Sequence, residues 1–350
     1  MVIIMVPKKP VVIRQVWQRN LELEFSLIRS AVKSHSCISI DTEFPGTVIP
    51  DIKNRKFFDL NPEETYSSMK ANVDASKLIQ LGLTLSDHYG NLPDFGGVCF
   101  VWQFNFREFD VEKDLQNFSS IELLKRNGID FSANKMYGVR SQDFARLFRG
   151  CFGPNCTWVT FHGGYDFGYL TKALTNSDLP RDLGIFRNLL SHYFGNSMYD
   201  VKAMMEPFRF RGGLESLAAC FNLVRVAGKS HQAGSDSLLT MQLFMKQPQL
   251  NGSVLSSSHP WRSWRMLYCM NLRRAGCLMV FVRHMVNLAS PVADTITIRS
   301  EEMRRFKQSN RDIQNGTRPG LNPGGDESKN TFPRLHCGSA LADRIMCQGP

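Results

Sequence analysis

The sequence predicts an α/β protein built on a mixed sheet. An apolar run at residues 36–44, stopped by Pro45 and Gly46, has the character of a buried strand. Two further β-like segments, 77–85 and 98–106, are separated by a stretch rich in Gly, Asn, Asp and Pro, which is typical of a hairpin with a long loop. A short strand then alternates with amphipathic helices. This combination favours a mixed sheet flanked by helices.

The remaining elements follow from periodicity and from capping residues. Residues 47–76 are rich in Asn, Asp, Ser and Pro, so we expect an irregular excursion there. We expect Ser141 to be the N-cap of a short helix, and Ser235 with Asp236 to lead a longer one. In chain order, the predicted helices cover residues 20–33, 141–148, 165–174, 180–194, 214–221 and 235–246, and a further strand covers residues 157–161.

The chain has 350 residues and a formal net charge of +10, which suggests contact with nucleic acid. The charge is unevenly distributed. Residues 1–250 hold 28 Lys and Arg against 25 Asp and Glu, a net of +3, whereas residues 251–350 hold 14 against 7, a net of +7. The bulk charge therefore does not decide the question. The 43% hydrophobic content is enough for a packed core.

A change in composition near residue 247 predicts the domain organisation. We expect an N-terminal extension at 1–11, a folded domain at 12–247, and an atypical basic, partly disordered tail at 248–350. We interpret this tail as the product of an alternative exon or a read-through gene model, because periodicity is lost abruptly. Transcript sequencing across the codons for residues 244–255 tests that interpretation, and one continuous, abundant mRNA would exclude it.

Cysteine usage and hydropathy limit the class of protein. Nine cysteines are scattered without a CxxC pair, which argues against structural zinc and suits a reducing compartment. The apolar run at residues 277–282 is far shorter than a membrane helix. We therefore expect a soluble protein of the cytoplasm and the nucleus, with no membrane association.

Asp41 and Glu43 form the first candidate site. They are separated by one residue in a strand, so their side chains point to the same face. Neighbouring carboxylates repel one another unless a cation lies between them, and Mg²⁺ or Mn²⁺ prefers oxygen ligands of this kind. Two solvated acids at a strand end are the ordinary alternative, and the spacing alone does not exclude it.

Two further segments add an acid each. Asp166 lies in Gly164-Tyr165-Asp166, where the next helix is predicted to begin, and an acid there is also a common helix cap. His231 and Asp236 lie five residues apart, in a loop and in the first turn of a helix, so both can approach one centre. A histidine with a pKa near neutrality is suited to removing a proton from water, although alone it is more often a surface residue.

The order of these residues resembles the DEDD superfamily of 3′→5′ exonucleases, in the subtype with a histidine in the last motif. The amino-acid sequences of these motifs are similar to those of the Pop/Caf deadenylases, which are catalytic subunits of the Ccr–Not mRNA-decay complex. Three segments carry the similarity: Asp-Thr-Glu-Phe-Pro-Gly at 41–46, Gly-Tyr-Asp-Phe-Gly-Tyr-Leu at 164–170, and His-Gln-Ala-Gly-Ser-Asp-Ser-Leu-Leu-Thr at 231–240. Lys-Leu-Ile-Gln-Leu-Gly-Leu at 77–83 and Tyr-Asp-Val-Lys at 199–202 support it.

This resemblance implies a ribonuclease-H-like fold and a poly(A)-specific exoribonuclease that releases AMP. Asp41, Glu43, Asp166 and Asp236 carry over as ligands of two divalent metal ions, Mg²⁺ or Mn²⁺, and His231 carries over as the general base. Poly(A) RNA is the implied substrate. A Not-type scaffold and a second deadenylase subunit are the implied partners.

Two alternatives stay open at this stage. A general DNA or RNA 3′→5′ exonuclease would use the same acids, and a non-catalytic scaffold would keep the fold, although all five catalytic positions are filled here. Asp200 is expected to support the site rather than bind metal. Phe44, Phe167 and Tyr169 flank the acids and are more often core than base-stacking residues. Gly163, where the family usually has Ser, is a small departure.

Overall fold

One six-stranded sheet organises the protein, and the computed structural model describes residues 9–50, 61–205, 210 and 212–246. The strands are β1 (Val11–Val16), β2 (Cys37–Glu43), β3 (Gln80–Ser86), β4 (Cys99–Asn105), β5 (Thr157–Thr160) and β6 (Met198–Asp200). The α-helices are α1 (Leu21–Ala31), α2 (Pro62–Ala75), α3 (Phe118–Arg126), α4 (Phe131–Tyr137), α5 (Ser141–Phe148), α6 (Gly164–Thr175), α7 (Leu183–Phe194), α8 (Val201–Met204), α9 (Leu214–Cys220) and α10 (Ala233–Lys246).

The strand order is β1-β4-β3-β2-β5-β6. β3 runs antiparallel to both β4 and β2, which forms the predicted hairpin, whereas β1 is parallel to β4 and β5 is parallel to β2 and β6. This arrangement confirms the predicted mixed α/β sheet. The carboxyl ends of β2, β5 and β6 lie at one edge of the sheet, where ligand sites of α/β proteins commonly occur.

Aromatic side chains fill the space between the sheet and the helices. Trp158 of β5 meets Phe194 of α7 at a centroid distance of 5.0 Å, and Phe144 of α5 meets Phe104 of β4 at 5.1 Å, both edge to face. All four are essentially inaccessible to water. Each buried side chain of this size contributes about 1.5–3 kcal/mol. This packing fixes the helices against the sheet.

The irregular excursion predicted for residues 47–76 is wrong in its second half, because α2 covers Pro62–Ala75. The helix begins with a capping box, in which the Asn61 side chain accepts a hydrogen bond from Glu64 N (2.8 Å) and Glu64 accepts one from Asn61 N (3.1 Å). Pro62 follows the cap, where its missing N–H costs nothing. These start signals outweigh the polar composition of the segment.

Two other local predictions need correction. β1 was not predicted, since its burial does not alternate cleanly at the sheet edge. Arg140, not Ser141, occupies the N-cap of α5, and the N–H of Ser141 donates to Glu108 Oε1 at 2.6 Å. The other predicted helices and strands occur, with ends shifted by at most three residues.

The first turn of α10 lies directly on the middle of the sheet because Gly82 of β3 has no side chain. A Cβ at Gly82 would lie 1.8 Å from the carbonyl oxygen of Ala233. Gln103 of β4 accepts a hydrogen bond from the N–H of Gly234 at 3.0 Å, which fixes the start of the helix. One turn later, Ser237 O accepts a hydrogen bond from Ser39 of β2 at 2.7 Å. These contacts with β2, β3 and β4 fix the position of the first turns of α10 on the sheet.

The expected boundary at 247 and the tail at 248–350 lie outside the described residues, of which the last is Lys246 of α10. The extension at 1–11 is described from Lys9. Within the described part, none of the helices has the length and apolarity to cross a membrane.

Replacing Gly82 by Ala should lower the free energy of unfolding by about 3 kcal/mol, because the added methyl group must displace the start of α10. Urea unfolding followed by circular dichroism measures the change. Gly153→Ala is the matched control, since a Cβ there meets nothing within 4 Å. Equal stability of the two variants would show that α10 is not seated as described.

Candidate active site

Asp41 and Glu43 stand at the carboxyl end of β2, on one face of the sheet. Asp41 is paired with Gly82 and Glu43 with Gln80 across the antiparallel ladder. Ser39 shares this face, by strand alternation, and it contacts α10. The two acids therefore project beside the first turn of α10, where Asp236 lies. Asp236 and Glu43 are both buried.

Asp166 reaches the same strand end from the opposite face. It lies in the first turn of α6, which follows β5. Thr42, which alternation places on the face away from Asp41 and Glu43, donates from its hydroxyl to Asp166 Oδ1 at 2.6 Å. Asp166 still interacts electrostatically with both Asp41 and Glu43. The acids thus converge from both sides of one strand.

His231 completes the group from the loop before α10. Ligand atoms of Glu43, His231 and Asp236 all lie within 4.8 Å of one another, and among the described residues this is the cluster suited to a metal ion. The backbone N–H of His231 donates to Asp236 Oδ2 at 3.0 Å. Glu43 and Asp236 are buried, but His231 is exposed. The structure therefore brings Glu43, His231 and Asp236 into one cluster, and Asp41 and Asp166 lie close enough to interact electrostatically with its acids.

Burial raises the pKa values of all four carboxylic acids, and repulsion from neighbouring carboxylates adds to this at Asp41 and Glu43. Removal from water raises the pKa of Asp41 well above its ordinary value, and the neighbouring carboxylates of Asp166 and Asp236 raise it further. The pKa of Glu43 is raised in the same way. Burial raises the pKa of Asp166 to about 7, against the opposing effect of its hydrogen bonds with Thr42. Burial also raises the pKa of Asp236.

The raised pKa values and the donor atoms of the cluster indicate whether the site suits cations. Four clustered acids that resist ionisation gain most from divalent cations, which favour their charged forms. Carboxylate oxygens with one imidazole are suitable donors for Mg²⁺ or Mn²⁺, and the absence of thiolates from the cluster disfavours softer metals. The residues present therefore fit a site for hard divalent metals.

Asp200, at the end of β6, supports the site, and its charge adds to the burial that raises the pKa of Asp166. Its carboxylate accepts hydrogen bonds from the backbone N–H groups of His162 (3.0 Å), Gly163 (2.8 Å) and Ala203 (3.0 Å). It therefore caps α8 and also holds the turn that leads into α6 and Asp166. A Cβ at Gly163 would approach Thr160 Oγ1 to 2.2 Å.

The flanking aromatic residues divide between core and surface. Phe167 and Tyr169 are fully buried, as expected, and the hydroxyl groups of Tyr169 and Ser76 are hydrogen-bonded at 2.5 Å. Phe44 is half-buried and stacks on Tyr165 at a centroid distance of 5.1 Å and on Tyr169 at 4.8 Å. This stack anchors the chain that leaves β2 after Glu43.

Sequence reasoning missed the residues that hold the acids in place. Arg225, in the loop between α9 and α10, forms an ion pair with Asp236. Thr42, Gly82 and Gln103 fix Asp166 and the start of α10. Thr42 lies inside the Asp-x-Glu motif and could have been suspected from that position, whereas nothing in the sequence around Arg225 distinguishes it.

Comparison with known proteins places the chain in a family. Residues 16–145 match the sequence model of the family described as CAF1 family ribonuclease. The probable CCR4-associated factor 1 homolog 7 of Arabidopsis thaliana is 47% identical over 240 residues, covering 67% of this chain and 86% of that protein. The chain belongs to the CAF1 family of ribonucleases. The poly(A) ribonuclease pop2 of Schizosaccharomyces pombe is a further CAF1-type relative, 41% identical over 69% of this chain and 71% of its own.

Solved structures agree with this assignment. The Mg²⁺- and Mn²⁺-bound form of S. pombe Pop2p has a TM-score of 0.63 and 39% identity, covering 70% of this chain and 95% of that one. Yeast CAF1 co-crystallised with the NOT1 MIF4G domain has a TM-score of 0.59 and 31% identity, covering 73% and 95%. The family resemblance and the ribonuclease-H-like fold predicted from the motifs are thus confirmed, while the roles of the five site residues in this CAF1 protein remain predictions.

The metal-free protein should be less stable at about pH 8 than at about pH 5. The folded state keeps a proton on Asp166 up to about pH 7, whereas the unfolded chain releases it near the ordinary value of 3.8. Each pKa unit corresponds to about 1.4 kcal/mol, so raising the pH through this window costs folded-state stability. We expect Tm to fall by about 4 °C or more, measured by calorimetry in EDTA.

Asp166→Asn is the control for this pH effect. The amide does not titrate, so the variant should lose less Tm between the two pH values than the parent, and the remaining fall is due to Asp41, Glu43 and Asp236, whose pKa values are also raised. Addition of Mn²⁺ to the unsubstituted protein should raise Tm most at the higher pH, where the carboxylates are free of protons. An identical fall in Tm for the variant and the parent would assign the effect to other groups.

Proposed function

We propose that the protein is a poly(A)-specific 3′→5′ exoribonuclease that shortens mRNA tails, releases AMP and so promotes mRNA decay. The observation that supports this most directly is the convergence of Asp41, Glu43, Asp166, Asp236 and His231 on the end of β2 in a CAF1-family chain. A nuclease of this kind needs acids that hold metal ions and, beside them, a general base that the substrate can reach. His231 is the exposed member of the cluster.

The four acids would hold two divalent metal ions, Mg²⁺ or Mn²⁺. When bound, such ions stabilise charge on the attacking and leaving oxygens of a phosphodiester. Asp166 and Asp236 approach from α6 and α10, so both helix N-termini also direct positive dipole ends toward the anionic substrate. Thr42 and the N–H of His231 keep the two carboxylates oriented.

His231 is the residue best placed to accept the proton of the attacking water. Its side chain is exposed yet lies within 4.8 Å of the ligand atoms of Glu43 and Asp236. Hydrolysis at the last phosphodiester then leaves a 5′-mononucleotide and an RNA shorter by one residue.

Partners follow from the relatives rather than from a described surface. The A. thaliana relative is named a CCR4-associated factor, and yeast CAF1 was co-crystallised with the MIF4G domain of NOT1. We extend this to a large Not-type scaffold and a second deadenylase subunit as partners of this chain, in the cytoplasm and the nucleus. Co-purification with a tagged MIF4G-type domain tests the scaffold, and a fluorescent fusion tests the location.

Substrate choice distinguishes a poly(A)-specific enzyme from a general 3′→5′ exonuclease. Purified protein with Mg²⁺ or Mn²⁺ should degrade a 5′-labelled RNA with an oligoadenosine tail in single-nucleotide steps from the 3′ end, because the cluster can hold metal beside a terminal phosphodiester. The same RNA with a cytidine tail should be degraded more slowly. A sequencing gel resolves both ladders. Equal ladders on both tails would favour a general 3′→5′ exonuclease.

Asp41→Asn should abolish the ladder, since it removes a charged ligand while keeping the shape of the side chain. Asp178→Asn, at an exposed position, is the matched control and should leave the ladder unchanged. If the folded, unsubstituted protein produced no ladder with either metal, a non-catalytic scaffold would become the better explanation.

His231→Ala should lower kcat by about 10²–10⁴-fold, the usual contribution of a general base, while the Mn²⁺-induced rise in Tm persists. Single-turnover assays across a pH series measure the effect. Loss of the acidic limb of the pH–rate profile in the variant would agree with a base role. His88→Ala, at an exposed position in the β3–β4 loop, should behave like the parent. A variant with parental kcat would remove His231 from the mechanism.

A further inference from the structure

We propose that Arg225 is a positioning residue that fixes the carboxylate of Asp236 and the loop bearing His231 before metal or RNA binds. This inference rests on the proposed function only for the effect on turnover. The loop in question spans residues 221–232, between α9 and α10.

All three guanidinium nitrogens of Arg225 are engaged. Nε donates to Glu215 of α9 at 2.8 Å, one terminal nitrogen donates to Ser235 Oγ at 2.6 Å, and the other forms ion pairs with Glu215 and Asp236. The Arg225 side chain is only 15% exposed. A planar guanidinium with its donors in a fixed fork can join three partners at defined angles, which a lysine ammonium cannot do. Arg225 therefore ties α9 to the first turn of α10.

The same contacts close the loop that carries His231. Ser235, which accepts from Arg225, donates in turn to the carbonyl oxygen of Ala227 at 2.6 Å. Gly228 has φ +72° and packs so closely that a Cβ would lie 2.6 Å from Ile13 of β1. Beyond it, the Gln232 side chain donates to the carbonyl oxygen of Asn127 at 2.8 Å. His231 is thus held between anchors on α9, β1 and the segment after α3.

Asp236 is gripped on both of its oxygens. Arg225 pairs with Oδ1, and the backbone N–H of His231 donates to Oδ2. One side chain therefore sets the orientation of the carboxylate, and through it the backbone position of His231. Arg225 is also a positive charge that favours the ionised forms of Asp41 and Glu43.

These contacts distinguish a positioning role of Arg225 from a role in binding substrate. An arginine that clamps phosphate presents free N–H groups to the ligand, as in bidentate phosphate recognition. Here Glu215, Ser235 and Asp236 engage the fork, and little of it is exposed. Loss of Arg225 should therefore act on the geometry of the site, in the rate of reaction more than in RNA affinity.

Metal binding without RNA gives the sharpest test, because the two roles predict opposite signs. If Arg225 merely repels cations, Arg225→Ala should tighten Mn²⁺ binding by the metal-stripped protein. If it positions Asp236, the variant should bind Mn²⁺ about 10-fold more weakly, as losses of supporting residues do. Isothermal titration calorimetry measures this and does not depend on any nuclease activity. Tighter or unchanged binding would overturn the proposal.

Hydrogen–deuterium exchange of the metal-free protein tests the loop directly. Arg225→Ala should speed exchange in peptides covering 221–232 and leave the β2 and β3 peptides protected. Arg146→Ala is the matched control, because Arg146 pairs with Glu22 across the surface and both side chains are mostly exposed. It should change neither exchange in the loop nor Mn²⁺ affinity. Unaltered loop exchange in Arg225→Ala would contradict a positioning role.

Turnover and a conservative variant complete the test. On oligoadenosine RNA, Arg225→Ala should lower kcat about 10–100-fold with little change in KM, and millimolar guanidinium chloride should restore part of the rate. Arg225→Lys keeps the charge but loses the fork, so it should resemble Arg225→Ala. A lysine variant with parental kcat and Mn²⁺ affinity, or an effect confined to KM, would overturn the proposal.

A milder variant covers the case in which Arg225→Ala does not fold. Glu215→Ala removes the outer anchor and leaves the contact with Asp236, so the loop should exchange faster and Mn²⁺ should bind less tightly, both by smaller factors. Parental values in this folded variant would show that the anchor on α9 has no role. The unsubstituted protein could lack nuclease activity while Arg225→Ala still weakened Mn²⁺ binding and sped loop exchange. In that case the positioning role of Arg225 would stand and the nuclease assignment would fail.

Discussion

Removal of four carboxylates from water at the end of β2 is the constraint on which the rest of the site depends. Burial raises the pKa values of Asp41, Glu43, Asp166 and Asp236, and repulsion from neighbouring carboxylates raises those of Asp41 and Glu43 further. The fold must therefore hold together groups whose charged forms favour water and separation. Such an arrangement persists only where the surrounding structure is stiff. Divalent cations held by these acids would favour their charged forms and so offset this cost.

The stiffness has identifiable sources on each side of the strand. On one face, Gly82 allows α10 to touch the sheet and Gln103 fixes its first turn. On the other, Thr42 holds Asp166 at the start of α6, and Asp200 holds the turn before it. Asp166 and Asp236 are therefore positioned by contacts from several strands, and Asp236 is also held by its ion pair with Arg225. No single element could impose the geometry alone.

The sequence predicted the acids well and their supports poorly, and the reason is physical. Asp41 and Glu43 could be placed on one face because strand alternation is a local rule, and Asp236 could be placed near a helix start for the same reason. Gly82 and Gln103 act through contacts across the sheet with a helix some 130 residues later in the chain. The capping signals at Asn61 are local and readable, and they outweigh the polar composition that predicts an irregular segment there. Long-range contacts, by contrast, left no local pattern.

His231 shows how one residue can serve both the buried and the open side of the site. Its φ of +58° is uncommon for a residue with a side chain, and such conformations survive where the surroundings enforce them. His231 gives its N–H to the buried carboxylate of Asp236, while its imidazole remains exposed. His162, with φ +66°, likewise gives its N–H to the buried Asp200. In both loops a backbone N–H at a residue with positive φ supports a buried acid, and at His231 this conformation leaves the imidazole exposed beside the acid cluster.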